Sequence, residues 1–343
     1  MSPLADLNPL SSTREILVVG AGSIGRRHVA NLETLGWTSI RLLRTGRSTL
    51  PDTDLARYPI DADLERALSR KPLAVVVANP SALHLPVARA AAAHGAHLLI
   101  EKPLSHTLDG IRELTTVAAA RDVTVLVGFQ FRFHPGLRRI KAWLDEGAIG
   151  DVISVQAHWG EFLPAMHPWE DYRQGYAARE DLGGGVLHTF CHPFDYLRWL
   201  IGDVELVTAV RPRRPALDVP VDTCVDVMLR FGCGASGHVH LNFVQRPPEH
   251  RLVIVGTEGT LTWSQSDHTA RRSRPASGTW ETAPPPEGFD RNWMFLDEMR
   301  HFLACLRGEA KPVCTLHDGI ETLRLAVAAS RAVSVSAQQE VVQ

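Results

Sequence analysis

Residues 15–36 constrain the fold more than any other stretch. Glu15-Ile16-Leu17-Val18-Val19 supplies an apolar run of strand length. Gly20-Ala21-Gly22-Ser23-Ile24-Gly25 follows at once, and then a helical pattern that closes at Gly36. Strand, GxGxxG and helix in that order are the turn that binds a dinucleotide. Gly20 allows the tight turn, Gly22 lets the backbone approach a pyrophosphate, and Gly25 lets helix and strand pack closely. The free N–H groups of the first helical turn, with Ser23 and Ile24, then face the phosphates. A turn of this kind predicts βα alternation and a doubly wound parallel sheet.

The alternation continues. Ile40-Arg41-Leu42-Leu43 reads as the second strand, and Arg44-Thr45-Gly46-Arg47-Ser48 follows it. NAD enzymes usually place an acid about 20 residues past the fingerprint to bind the ribose hydroxyls. An arginine with nearby hydroxyls, here Arg44 and Thr45, binds a 2′-phosphate instead. The expected cofactor is therefore NADP, with NAD possible; the alternative is an exposed basic turn. Leu73 to Ala78 is a buried strand ending at Asn79-Pro80, and Ala96 to Ile100 is another, ending at Glu101-Lys102-Pro103. Ligands of open α/β sheets sit beyond the carboxyl ends of the strands, so Lys102 is delivered to the reactive crevice. Val123 to Val127 is the next strand. The dinucleotide-binding domain is expected over residues 14–130, after a loose tail at 1–13.

Beyond Gly150 the period changes to two. Thr223, Val225, Val227, Leu229 and Phe231 share one strand face, and Gly232-Cys233-Gly234 reads as a hairpin turn into a second strand. An antiparallel sheet with one covered and one polar side follows. His238 and His240 resemble a ligand pair but read as solvated strand histidines. Residues 264–288 read as a long loop, and two helices, about 292–306 and 318–333, close an α+β domain over 131–335.

Residues 183–196 read Gly-Gly-Gly-Val-Leu-His-Thr-Phe-Cys-His-Pro-Phe-Asp-Tyr. If helix follows the glycines, His188 and His192 lie on one face, and Asp195 can orient the His192 ring. A histidine held by a carboxylate suits general acid–base work. HxxxH is also a zinc spacing, but Thr189 stands where HExxH carries its base, so no metal is expected. The aromatic and charged stretch from Trp159 to Arg173, including Trp169 and Tyr172, suits either a polyhydroxylated ligand or an ordered loop or subunit contact.

Bulk numbers exclude several classes. The 343 residues allow two domains, and 45% hydrophobic with 22% charged residues is ordinary for a globular chain. A formal net charge of −2 gives no electrostatic case for nucleic acid or an anionic membrane. No apolar run approaches the length of a membrane span, and the N-terminus lacks the basic and apolar regions of a signal peptide. Five cysteines without a CxxC argue against a disulfide framework or structural zinc. The expected compartment is the cytoplasm.

In order and over nearly the whole chain, these motifs resemble the glucose–fructose oxidoreductase, inositol dehydrogenase and rhizopine catabolism (Gfo/Idh/MocA) family. The resemblance rests on Gly20 to Gly25, Asn79-Pro80 with His84, Glu101-Lys102-Pro103, Gly128-Phe129-Gln130-Phe131-Arg132-Phe133, the triple glycine, and His192-Pro193-Phe194-Asp195. It implies a Rossmann domain followed by an α+β domain with a large open sheet. It also implies hydride transfer between NAD(P) and a carbinol or ketone of a sugar, sugar derivative or cyclitol. Lys102 and His192 fall on the family's catalytic positions. Asn79, Pro80, His84, Glu101 and Gln130 go with the cofactor, and Arg132, Trp169, Tyr172, Arg173 and His188 with the substrate. Many members carry an acid where this chain has His188. A homo-oligomer, dimer or tetramer, through the open sheet face is implied. Two other readings use the same residues: a glycoside hydrolase of this fold that uses NAD without net turnover, and a non-catalytic NADP-binding sensor.

Overall fold

The computed structural model describes residues 14–46, 55–214, 217–274 and 278–336. The expected tail at 1–13, and Arg47 and Ser48 of the basic turn, lie outside the described residues. The chain forms two units, one running to Gly128 and including Phe295–Gly319, the other comprising Phe129–Met294 and the chain from Ile320 on.

The first unit holds a six-stranded parallel sheet. Its strands are β1 (Ile16–Val19), β2 (Ile40–Leu43), β3 (Ile60–Asp61), β4 (Ala74–Val77), β5 (His97–Glu101) and β6 (Val125–Gly128), in the order β3-β2-β1-β4-β5-β6. Every residue of β1, β4 and β6 is buried, as expected of strands covered on both faces, which is why they read as unbroken apolar runs. The helices are α1 (Ser23–Thr34), α2 (Leu64–Leu68), α3 (His84–Ala93) and α4 (Ile111–Ala120). Sheet order reverses between β1 and β4, the switch point at which such sheets bind ligands.

The second unit is an eight-stranded, mainly antiparallel sheet with helices. After α5 (Pro135–Asp145) come β7 (Val152–Phe162), α6 (Leu163–Met166), α7 (Val186–Thr189), α8 (His192–Ile201), β8 (Val204–Val210), β9 (Cys224–Phe231) and β10 (Ser236–Asn242). They are followed by β11 (Val244–Gly256), β12 (Thr260–Ser264), β13 (Ala270–Arg274), β14 (Thr279–Ala283) and α10 (Leu316–Ser336), most of which lies in this unit, whereas α9 (Arg291–Leu306) lies mostly in the first unit. The order is β14-β13-β12-β11-β7-β10-β9-β8, with β7 and β10 paired in parallel. Val225, Val227, Val239, Leu241, Leu252 and Ile254 fill the inner face. Trp143 of α5 is fully buried, and a Cβ on Gly136 of the same helix would lie 2.6 Å from the Trp263 ring, so α5 sits tight on β12.

Two expectations change. The loop expected at 264–288 contains β13 and β14, which extend the sheet edge. Polar residues dominate both of their faces, with Ala270 buried and Arg272 bonded to Glu281 at 2.6 Å, so no apolar alternation marks them. The domain boundary was expected at 130/131 with everything beyond in the second domain; the break falls after Gly128, and Phe295–Gly319 belongs to the first unit. Its anchors are local: the Cys314 carbonyl accepts the N–H of Val127 on edge strand β6, and Phe295 packs edge-on against His28.

Candidate active site

The fingerprint turn sits at the carboxyl end of β1. Gly20 adopts φ +97°, and a Cβ there would lie 2.6 Å from the Ala78 carbonyl oxygen. A Cβ on Gly25 would lie 2.0 Å from the Gly20 oxygen, so both positions demand glycine for close packing. Gly22 caps α1 with nothing within 4 Å of its missing Cβ. The helix has no side-chain cap and no acid in its first turn, where Ser23, Ile24 and Gly25 stand. The N–H groups and the positive dipole end thus suit a pyrophosphate, and the residues fit a bound dinucleotide. Arg44 follows β2, half-buried, its N–H on the Asp61 carbonyl at 3.1 Å; Thr45 is exposed. Asp61 itself is spent on Arg41, Arg66 and Arg70.

His84 ties two strand ends together. Its Nε2 lies 2.7 Å from the Asn79 carbonyl oxygen and its Nδ1 2.8 Å from that of Pro103. Asn79-Pro80 after β4 and Pro103 after β5 are thereby fixed to each other. Two carbonyl acceptors favour the imidazolium, but burial is the larger effect and lowers the His84 pKa.

Lys102 leaves β5 half-buried. Glu101, expected on the cofactor, is buried: Oε1 accepts the Nε2–H of His28 at 2.6 Å and Oε2 accepts the Lys102 N–H at 3.2 Å. Burial raises the Glu101 pKa, but the His28 bond and the nearby positive charges outweigh it and lower it. The carboxylate therefore fixes the backbone that presents Lys102. His28 was not singled out in the sequence, although it lies at a core position of α1 by spacing, with Gly25, Val29 and Leu32.

In the second unit, His192 opens α8. The spacing reading put His188 and His192 on one helix, but α7 ends at Thr189 and α8 begins at His192. Pro193 explains the break, since it has no N–H for a bond to Thr189 and its ring would clash with that carbonyl. His192 is fully buried in aromatic rings: Phe131 at 4.8 Å, Trp159 at 5.5 Å and Phe129 at 5.6 Å between centroids. Gln130, expected on the cofactor, donates its Nε2–H to Nε2 of His192 at 3.3 Å. That bond keeps Nε2 an acceptor. Trp159 is itself stacked between His250 at 4.2 Å and Phe190 at 4.4 Å, which fixes the wall behind His192.

Asp195 lies one turn along α8. It was expected to orient His192, and Arg132 to contact substrate. Arg132 and Asp195 are 3% and 1% exposed, and the guanidinium grips both carboxylate oxygens at 2.7–3.1 Å. The pair locks the 130–133 turn, and with it Gln130 and Phe131, to α8. The loop residues are different. Trp169 is 59% exposed, with His167 against its ring, and Arg173 lies over Tyr172 and bonds Asp171. These contacts are internal to the loop. His188 is half-buried in α7.

Comparison with known proteins follows the same division. Residues 14–129 match the family model described as an oxidoreductase family with an NAD-binding Rossmann fold, and residues 137–262 match the GFO/IDH/MocA C-terminal domain. An uncharacterised oxidoreductase of Synechocystis sp. is 33% identical over 267 residues, covering 72% of this chain and 70% of that protein. A D-xylose 1-dehydrogenase named for NADP(+), from Haloarcula marismortui, is 26% identical over 261 residues, covering 72% and 68%. A levoglucosan dehydrogenase solved with NADH and levoglucosan shares the fold at a TM-score of 0.82, with 20% identity over 94% of this chain and 97% of that one.

Proposed function

This chain belongs to the GFO/IDH/MocA family of NAD(P)-binding oxidoreductases, and we propose that it moves a hydride between NADP and a secondary carbinol or ketone of a sugar, sugar derivative or cyclitol. The observation that carries this reading is that the carboxyl end of one parallel sheet bears both the fingerprint turn after β1 and Lys102 after β5. Nicotinamide, when bound, supplies the hydride acceptor or donor. In oxidation, Nε2 of His192 accepts the proton of the substrate hydroxyl, which takes the place of the Gln130 amide as donor to that nitrogen. Lys102 stabilises the developing alkoxide. Glu101 and His28 hold the Lys102 backbone, and Arg132 with Asp195 holds the turn that carries Gln130.

NADP rather than NAD is favoured by Arg44, which stands where an acid would otherwise repel the 2′-phosphate. The relatives include both cofactors by name. Asn79, Pro80 and His84 shape the cofactor crevice, and Trp169, Tyr172, Arg173 and His188 contact the substrate. A second copy of the chain covers the outer sheet face, where Leu206, Val210, Met228, Val255 and Trp280 are exposed together by register. Among the described residues no helix is long and apolar enough to cross a membrane. None of the five cysteines forms a disulfide.

The test is a screen of sugars, cyclitols and sugar nucleotides for absorbance change at the nicotinamide band. Lys102→Ala should then lower turnover by about two orders of magnitude or more while cofactor titration is unchanged. Near-normal turnover in that variant would remove Lys102 from the chemistry. Glycoside cleavage without net absorbance change would select the hydrolase reading instead.

A further inference from the structure

The outer face of the eight-stranded sheet carries a set of side chains that hydride transfer does not use. Strands β9 and β10 pair antiparallel with His240 opposite Asp226 and Asn242 opposite Cys224. Residues two apart on a strand share a face, so this register gathers a thiol, a carboxylate and imidazoles on one patch. The Cys224 sulfur, an Asp226 oxygen and a His240 ring nitrogen lie within 4.8 Å of one another. Oδ1 of Asp226 accepts from Nδ1 of His240 at 2.7 Å and from Nε2 of His238 at 3.0 Å. The Asn242 amide donates to Nε2 of His240 at 3.1 Å, and His158 stacks on the His240 ring at 4.8 Å. All three donor residues are half-buried, so the site is walled by its neighbours on the sheet.

We propose that Cys224, Asp226 and His240 bind one zinc ion on the outer face of the second unit, with water as the fourth ligand. Sulfur, nitrogen and oxygen donors together are a zinc set. Tetrahedral bonds of 2.0–2.3 Å require donors about 3.3–3.8 Å apart, which side-chain rotation from the present spacing reaches. His238 already donates to Asp226 from outside; when zinc takes Nδ1 of His240 the ring proton moves to Nε2, and the Asn242 amide turns its oxygen to accept it, the arrangement that orients a ligating imidazole. Binding is balanced by proton release: the Cys224 S–H bond breaks, a sulfur–zinc bond forms, and the proton passes to buffer. The charged and titratable groups facing the cluster are His238 on β10, His158 on β7 and, beside His158, Glu249 on β11. Neither the missing CxxC nor the 188–192 HxxxH spacing bears on these ligands, which come from two strands and meet only through register.

The experiment uses the full chain, stripped with chelator and dialysed, then titrated with cobalt(II) and with zinc against a chromogenic chelator. One equivalent should bind, with a thiolate-to-cobalt charge-transfer band. Cys224→Ser should abolish that band. Asp226→Asn and His240→Asn should each weaken zinc at least about tenfold, the lower bound seen for loss of groups that merely support a ligand. Cys233→Ser, which removes an exposed cysteine in the neighbouring turn, should change neither. Circular dichroism checks that each variant is folded, and the two asparagine variants carry the test if Cys224→Ser is not. No charge-transfer band in the parent, or zinc affinity unchanged in both asparagine variants, overturns the proposal.

Discussion

Acid should weaken the second unit through His250, by an amount that follows from its bonds. The ring is buried, with Nδ1–H donating to Oε1 of Gln265 at 3.0 Å and Nε2 accepting the Tyr196 hydroxyl at 3.1 Å. Both nitrogens are satisfied in the neutral form. Protonation would set a second N–H against the Tyr196 O–H and place a charge between Trp159 and Trp263. Burial lowers the pKa to about 3, against the opposing Gln265 bond. The unfolded chain takes up this proton near pH 6.5, so between the two values the folded state holds fewer protons and stability falls with pH. The loss is about 1.4 kcal/mol per pH unit, or about 2 kcal/mol between pH 6.5 and 5. Urea unfolding followed by tryptophan fluorescence, at half-unit steps from pH 7.5 to 5, measures it in the parent and in His250→Asn. The variant starts less stable because it loses the stack on Trp159, and the gap should narrow by about 2 kcal/mol as pH falls. A gap that stays constant would show that the folded state binds the proton as readily as the unfolded chain, and the reasoning would fail. His134, whose pKa burial and the neighbouring His268 and His250 also lower to about 3, adds the same slope to both proteins and cancels.

Two other outcomes follow from side chains already described. Arg44→Asp should reverse the preference between NADPH and NADH in fluorescence titrations; a parent that binds NADH as tightly as NADPH would remove the argument from this position. Arg132→Met leaves the Asp195 carboxylate buried without its guanidinium and should cost about 3–5 kcal/mol in urea unfolding, and the double variant Arg132→Met/Asp195→Leu markedly less. Equal costs for the single and double variants would mean that the ion pair is not what holds α8 to the 130–133 turn.

Much of the first unit was legible because its strands are covered on both faces and so read as apolar runs ending in polar punctuation. Gly20 to Gly25, Asn79-Pro80 and Glu101-Lys102 all stand at such ends. Periodicity could not reveal β13 and β14, whose side chains are polar on both sides, nor stop the 188–192 spacing from reading as one helix although Pro193 was in view. The roles of Glu101 and Gln130 depend on His28 and His192, which lie 73 and 62 residues away in sequence. Such pairings are set by tertiary packing. For the proposed zinc ligands, the sequence shows His238 and His240 as a pair on one strand face, but only strand register brings Cys224 and Asp226 beside His240.

The return of Phe295–Gly319 to the first unit has a consequence for the order in which the chain is made. All six strands of the parallel sheet are synthesised by Gly128, yet Phe295, against which His28 and Arg27 pack, and Cys314, whose carbonyl accepts from β6, come far later. At about 5–20 residues per second, translation from Gly128 to Gly319 takes about 10–40 s. During that interval the nascent sheet has its fingerprint turn but lacks the segment that covers His28 and the outer edge of β6. The dinucleotide-binding unit is therefore begun before the second unit but completed only after the second unit's sheet has been made. A fragment cut at residue 130 reproduces the nascent state of that unit rather than its finished one.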